Sequence, residues 1–233
     1  MKKDLNIRVK KLWSSQYNHG ENVPDWYKLF LPFSPTREKV AFSFAKNLSG
    51  QLLDIGCGEG DLIINLSGYY KELDGVDMLD TRIKRGRKNI AGKNLNNIFL
   101  MVRNIEDGLQ FSSRSFDVVI CLSVIEYTFD PYFSVQEIAG VLKNGGTLIL
   151  SVPNTGFVFE RVKLLLGKLP NVANAPGWQG GRLHNFTQSS LSELLCEEGF
   201  EITNIVGSGF LNRLRSFWPS LLCGDLIFVC KKR

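Results

Sequence analysis

The order of segments along the chain predicts an α/β fold, a parallel sheet with helices covering both faces. Three observations support it. Between about residues 51 and 152, short apolar runs alternate with longer amphipathic ones. One run, FDVVICL (116–122), is apolar almost throughout, as expected of a strand covered on both faces. Another, LLDI (52–55), leads directly into a turn with glycine at every second position, Gly56-Cys57-Gly58-Glu59-Gly60. A glycine-rich turn after a buried strand lets backbone approach a ligand closely.

The elements follow in order. LLDI is the first strand, and a helix starts near Glu59. ELDGVD (72–77) is the second strand and ends on an acid; TRIKRGRKNI (81–90) has helical composition, weakened by Gly86. NIFLMV (97–102) and FDVVICL are the third and fourth strands. PYFSVQEIAGVL (131–142) predicts a helix, with proline in its first turn and apolar residues at 135, 138 and 142. KNGG (143–146) ends that helix, and TLILSV (147–152) is the fifth strand. Beyond it come a short helical piece from Val158, VFERVKLLLGKL, and a long loop, NVANAPGWQGGRLHN (171–185). A loop of that length is uncommon and tends to carry function. SSLSELLCEEGF (189–200) is a helix closed by Gly199, EITNIVG (201–207) is strand-like, and DLIFVCKK (225–232) is the last strand. Residues 1–50 form an N-terminal arm with proline breaks at 32 and 35 and a helix after Thr36. The expected organisation is one domain, 1–233. It comprises an arm or lid (1–50), a cofactor-binding core (51–152), a substrate loop insertion (153–186) and a C-terminal helix and strands (187–233).

Composition sets limits on function. A chain of 233 residues suits one medium-sized domain, and 44% hydrophobic with 22% charged residues is ordinary for a soluble globular protein. No apolar run approaches the roughly 20 residues that span a bilayer. The N-terminus, MKKDLNIRVKKLW, is basic but lacks the apolar stretch of a secretion signal, so the expected location is cytoplasmic. The five cysteines are scattered, with no Cys-x-x-Cys pair, which argues against a disulfide framework or a zinc site; no metal is expected. The net charge of +5 gathers in 2–11 and in RIKRGRK (82–88). Without an interleaved aromatic platform, solvated surface is favoured over nucleic-acid binding.

The glycine turn narrows the cofactor. A dinucleotide fingerprint needs G-x-G-x-x-G, but here the third glycine comes one residue early. Acids at 54, 59 and 61 would repel a pyrophosphate, whereas they suit a ligand with an amine and a positive sulfur. S-adenosylmethionine is such a ligand. Asp77, about 20 residues past the turn at the end of the second strand, is placed to accept from both ribose hydroxyls.

LLDIGCGEGD, GVDM, NIEDGLQFSSRSFDVVICLSVIEYTFDP and EIAGVLKNGGTLILSVPN resemble successive motifs of the class I S-adenosylmethionine-dependent methyltransferases. The group they resemble is type 11, the ubiquinone-biosynthesis-like one. The resemblance is strong over roughly 50–155 and looser over 183–207. It implies a Rossmann-like three-layer sandwich whose seven-stranded sheet has the order 3-2-1-4-5-7-6, with strand 7 antiparallel. It also implies roles: Asp54, Gly56, Cys57 and Gly58 at the methionine end, Asp77 on the ribose, and Met78 on the adenine. Asn104 and the backbone of Ile105 would meet the adenine edge, and Leu122 and Ser123 would line the path to the sulfur. The chain departs from the family pattern at Asn104, usually Asp, and at Glu126-Tyr127, commonly Glu-His.

The implied reaction is methyl transfer, expected to be O-methylation of a small-molecule or glycan- or lipid-linked hydroxyl, giving S-adenosylhomocysteine. Tyr127 and His184 are the candidate general bases, with Glu126 and Asp130 behind them. His184 is weighed against a loop histidine bonded to backbone, and Glu126 leans toward a structural role. Trp13 and Tyr17 are candidates to close over the cofactor, weighed equally against packing; His19 lies in the same arm. Arg161, Lys163 and Lys168 are read first as helix solvation and second as a platform for an anionic acceptor. A peripheral membrane contact is the less favoured reading of this region and of RLRSFWPSLLCGDLIF. The alternatives to an enzyme of this kind are a non-catalytic S-adenosylmethionine-binding regulator or assembly protein and an RNA methyltransferase. The NPPY-type motif of many base amino-group methyltransferases is absent.

Overall fold

Residues alternate sides along each central strand, and the alternation divides the core in two. Leu53, Val119, Cys121, Leu148, Leu150 and Phe228 pack on one face of a sheet; Leu52, Val118, Ile120, Ile149, Ile227 and Val229 pack on the other. The computed structural model describes residues 35–168, 182–208 and 217–233. The expectations for Trp13, Tyr17, His19 and Pro32, and for most of the 171–185 loop, fall outside those residues.

The sheet has seven strands in the order β3-β2-β1-β4-β5-β7-β6. They are β1 (Gln51–Ile55), β2 (Glu72–Asp77), β3 (Ile98–Val102), β4 (Phe116–Leu122), β5 (Leu142–Pro153), β6 (Phe200–Ser208) and β7 (Asp225–Lys232). The first five pair in parallel, and β7 runs antiparallel between β5 and β6. Helices α1 (Arg37–Ala45), α2 (Asp61–Leu66) and α3 (Asp80–Gly92) cover one face through Ala41, Ala45, Ile63, Leu66, Ile83 and Ile90. Helices α4 (Pro131–Val141) and α6 (Gln188–Glu197) cover the other through Val135, Ile138, Leu191 and Leu195. Two further helices, α5 (Val158–Leu165) and α7 (Pro219–Leu222), follow β5 and precede β7. The seven-stranded order and the antiparallel last strand agree with the architecture implied by the motifs.

Local chemistry sets the element ends. Thr36 caps α1, Asp130 caps α4 ahead of Pro131, and Thr187 forms a reciprocal capping box with Ser190 on α6. Gly199 is left-handed just past α6, as its position after the helix predicts. Two boundaries differ from expectation. The helix expected from Glu59 starts at Asp61, because Gly60 sits at φ 84°, outside helical space. KNGG does not lie between α4 and β5 but inside β5. Leu142 is fully buried and pairs with Phe116, and the ladder resumes at Thr147–Val118 after a register shift. Lys143–Gly146 therefore forms a bulge, with Gly145 at φ 76°.

Candidate active site

The carboxyl ends of β1, β2 and β4, together with the turn after β3, enclose a cavity of about 360 Å³. This is where an open α/β sheet places its ligand. All ten residues expected to hold the cofactor line it: Asp54, Gly56, Cys57, Gly58, Asp77, Met78, Asn104, Ile105, Leu122 and Ser123. Tyr127 lines it too. His184 does not; its Nε2 lies 3.3 Å from the carbonyl oxygen of Phe129, and its backbone N–H donates to the Glu126 carbonyl.

The glycine turn is built from backbone. Gly56, Gly58 and Gly60 all have positive φ, at 74°, 60° and 84°. At Gly56 two constraints meet: its N–H donates to the Val76 carbonyl at 2.8 Å, and a Cβ would stand 2.4 Å from Val124 Cγ2. No L side chain satisfies both. Asp77 secures the opposite wall. Its Oδ2 accepts from the Gly58 N–H at 3.0 Å and its Oδ1 from the Leu79 N–H at 2.8 Å. Each oxygen keeps lone-pair capacity for a further donor.

The electrostatics are acidic. Asp54 is 4% exposed, and burial, then Asp77, then Glu38 push its carboxyl up to about 8. The acids that matter differ in part from those read in the sequence. Glu59 and Glu38 both line the cavity and both are paired, Glu59 with Arg85 and Glu38 with Arg37, each at 2.9 Å; of the two, Glu38, from the first turn of α1, is the one that raises Asp54. Nothing in the motif pattern marks Glu38. The signal available was the helix start at Thr36, which places two charges in a first turn, but their target is a tertiary contact. Arg82 approaches Asp77 at 3.9 Å and is a second lining residue that the sequence did not single out. The Cys57 thiol is pushed upward by burial and by Asp54 and Asp77, so it stays neutral.

Among the described residues, two that line the cavity carry buried polar atoms without a partner, Asn104 Nδ2 and Ser123 Oγ. Asn104 Oδ1 accepts from the Glu106 N–H at 3.2 Å, which orients the amide and leaves its NH₂ as the unsatisfied group. The free function at the expected adenine edge is thus a donor. Ser123 is held at φ 54°, an uncommon conformation for a side-chain-bearing residue and one that clusters at functional sites.

Beside the cavity wall, Glu126 is 1% exposed, and neither carboxyl oxygen has a partner. Burial pushes it up to about 7 against the pull of its own backbone amide, Arg182 and Arg37. Its carbonyl accepts from both the Leu183 N–H (2.8 Å) and the His184 N–H (3.0 Å), which ties the turn at 125–127 to the irregular chain at 183–184. Asp130 is occupied as the α4 cap. Arg161 donates to the Gly156 carbonyl at 2.7 Å and Lys163 pairs with Glu160 at 2.8 Å; neither lines the cavity, nor does Lys168.

An acidic, glycine-cradled cavity at the switch point of a 3-2-1-4-5-7-6 sheet defines the class I S-adenosylmethionine-dependent methyltransferases. A family model described as a methyltransferase domain matches residues 47–206. The chain belongs to this family and is an S-adenosylmethionine-dependent methyltransferase. It is 26% identical over 181 residues to a ubiquinone biosynthesis O-methyltransferase of Glaesserella parasuis, covering 72% of each chain. A protein of the same description from Coxiella burnetii is 33% identical over 106 residues, 46% of this chain and 44% of that one. Among solved structures, a Thermotoga maritima S-adenosylmethionine-dependent methyltransferase, described as a possible histamine N-methyltransferase, shares the fold at TM-score 0.64 and 18% identity. That match covers 97% of this chain and 100% of the other.

Proposed function

We infer that the chain methylates a hydroxyl of a small-molecule or glycan- or lipid-linked acceptor, with S-adenosylmethionine as donor. The observation that carries the cofactor assignment is Asp54. A carboxyl pushed up to about 8 by burial, then by Asp77 and Glu38, faces a cavity with room for a positive ligand. Bound there, S-adenosylmethionine supplies an electrophilic methyl carbon. Asp54, with Asp77 and Glu38 behind it, provides negative charge for the amino and sulfonium groups. Gly56 and Gly58 keep the cradle free of Cβ atoms. Asp77 has acceptor capacity for the ribose hydroxyls. Met78 and Ile105 supply apolar surface for the adenine. Asn104 Nδ2, the donor without a partner, suits a ring nitrogen of the base.

The choice of a hydroxyl rests on the relatives that are described as O-methyltransferases and on the polar groups near Leu122. Ser123, Tyr127 and Thr128 line this part of the cavity. Tyr127 is the better placed of the two candidate bases, because His184 is turned to the Phe129 carbonyl. The residues here have to align the acceptor oxygen, exclude water and remove a proton. Calorimetric titration with S-adenosylmethionine, followed by a methyl-transfer assay over phenols, sugars and lipid-linked glycans, tests the reading. Formation of S-adenosylhomocysteine together with an O-methyl product is expected. Tight binding with no product from any acceptor would instead indicate a regulator.

A further inference from the structure

A buried polar group without a partner has given up water for nothing, so folded chains keep few of them. Among the described residues, such side-chain atoms belong to Asn104, Ser123, Glu126, Ser151 and Arg182. Asn104 lies at the expected adenine edge. The other four gather at the carboxyl ends of β4 and β5. Ser123 follows β4, and its N–H donates to the Ser151 carbonyl at 2.9 Å. Glu126 comes three residues later, and its carbonyl accepts from the N–H of Leu183, the residue after Arg182. Ser123, Arg37 and the two residues that follow Glu126, Tyr127 and Thr128, line the cavity. Glu126 and Arg182 therefore stand beside its wall, beyond the groups assigned to the cofactor.

The Glu126 side chain does nothing for the fold that a neutral one would not do. Both its oxygens are unbonded, the ties to Leu183 and His184 run through its backbone, and above about pH 7 its ionised carboxyl weighs against folding. The charges that act on it are Arg182, Arg37 and Asp225. Arg37 is bonded to Glu38 at 2.9 Å, and Asp225 accepts from the Ser208 hydroxyl at 2.6 Å. What remains is a carboxyl, the Nε–H of Arg182 and the hydroxyls of Ser123 and Ser151, donors and acceptors close to charge balance. A cationic acceptor would meet guanidinium groups there, and an anionic one the carboxylate. A lone phenol offers a single hydroxyl and would leave most of these groups unbonded. A neutral compound with several adjacent hydroxyls, each able to donate and to accept, satisfies them together.

We propose that Glu126 and Arg182, with Ser123 and Ser151, form the acceptor subsite and hold the hydroxyls of a sugar ring beside the methyl group. This rests on the proposed function and narrows its acceptor. The probes are methyl glycosides of glucose, galactose and rhamnose, set against phenol, catechol, glucuronate and tyramine, with S-adenosylhomocysteine formation as the readout. Transfer to at least one glycoside is expected, with less to the other four compounds. Glu126→Gln should raise KM for that glycoside by about tenfold or more, with S-adenosylmethionine affinity unchanged and melting at pH 8 no lower than in the wild type. Arg182→Met should raise it similarly, and Arg182→Lys should recover part of the loss. Removing single hydroxyls from the methylated glycoside gives a readout that a structural carboxyl would not move. One deoxy form should cost the wild type about tenfold in kcat/KM and cost Glu126→Gln little. Should Glu126→Gln fail to fold, Arg182→Met and the deoxy series in the wild type decide the matter. Preference for phenol or catechol over every glycoside would overturn the proposal and leave the methyltransferase reading intact. So would an unchanged glycoside KM in both variants, or a Gln variant whose only loss is in cofactor affinity. Cofactor binding without transfer to any of these compounds or to lipid-linked glycans would overturn the functional reading and this inference together.

Discussion

The turn after β1 and the segment after β5 lie at the same end of the sheet and are built in opposite ways. In the first, backbone does the positioning. Three left-handed glycines, amide donors to Val76 and the two backbone bonds to Asp77 hold the wall, and side chains are excluded where the ligand goes. In the second, side chains dominate and face outward, with Leu165 and Leu166 largely in solvent. Backbone geometry at a tight turn permits few residue types, so the first region carries a motif. An apolar surface accepts many residue types, so the second has composition and no motif.

Substitutions can break or sharpen that contrast. The largest effect is expected at Gly56→Ala. It should lower stability by roughly 1–3 kcal/mol through the left-handed backbone and the Val124 clash, and abolish measurable S-adenosylmethionine binding by calorimetry. Wild-type affinity in that variant would show that the cradle tolerates a Cβ after all. Next, Tyr127→Phe should cut turnover by about 100-fold with cofactor affinity intact, whereas His184→Ala should change turnover only a few-fold. The reverse ranking would move the base from the cavity wall to the neighbouring loop.

Asp77→Ala should weaken S-adenosylmethionine binding by roughly 1–3 kcal/mol, about tenfold to a hundredfold. Because Asp77 also holds Gly58 and Leu79, adenosine should lose affinity too. A loss confined to the methionine portion would refute a ribose role. Glu126→Gln probes the wall behind the cavity. An acid with a raised folded-state pKa keeps its proton in the fold where the unfolded chain has already lost it. Its contribution to stability is therefore full below the ordinary carboxyl range and is lost as pH rises to about 7. Denaturant titrations should show a wild-type decline of roughly 2–3 kcal/mol across that window that the Gln variant lacks.

The last prediction concerns Asp54. Without a cation beside it the carboxyl keeps a proton up to about pH 8, and a cationic ligand favours the ionised form. Affinity should therefore rise as pH goes from about 6 to about 8, by up to tenfold per unit, and proton release should accompany binding at pH 7. Asp54→Asn should flatten the profile. A flat wild-type profile would place the positive end of the ligand elsewhere.

The sequence made the cradle legible to the residue, because φ at Gly56 and the acid closing β2 are local requirements with few solutions. Strand order could not be read from periodicity and came from the motif series. Glu38 and Arg82 were missed because helix packing, not chain neighbourhood, brings them to the cavity. The bulge at Lys143–Gly146 was missed for a related reason. KNGG is a competent helix stop, and only the burial of Leu142 against Phe116 draws it into the strand. Asn104 lines the cavity, and the bond from the Glu106 amide to its oxygen is a local contact that the motif pattern does not carry.

The Glu126 carbonyl, accepting from two successive amides, fastens the cavity wall by atoms that every residue type possesses. Position there is independent of side-chain identity. Leu183, His184 and Tyr127 can be exchanged for other chemistries while the frame they hang on stays in register. A lineage can then drift from one methyl acceptor to another by single replacements, without first rebuilding its architecture.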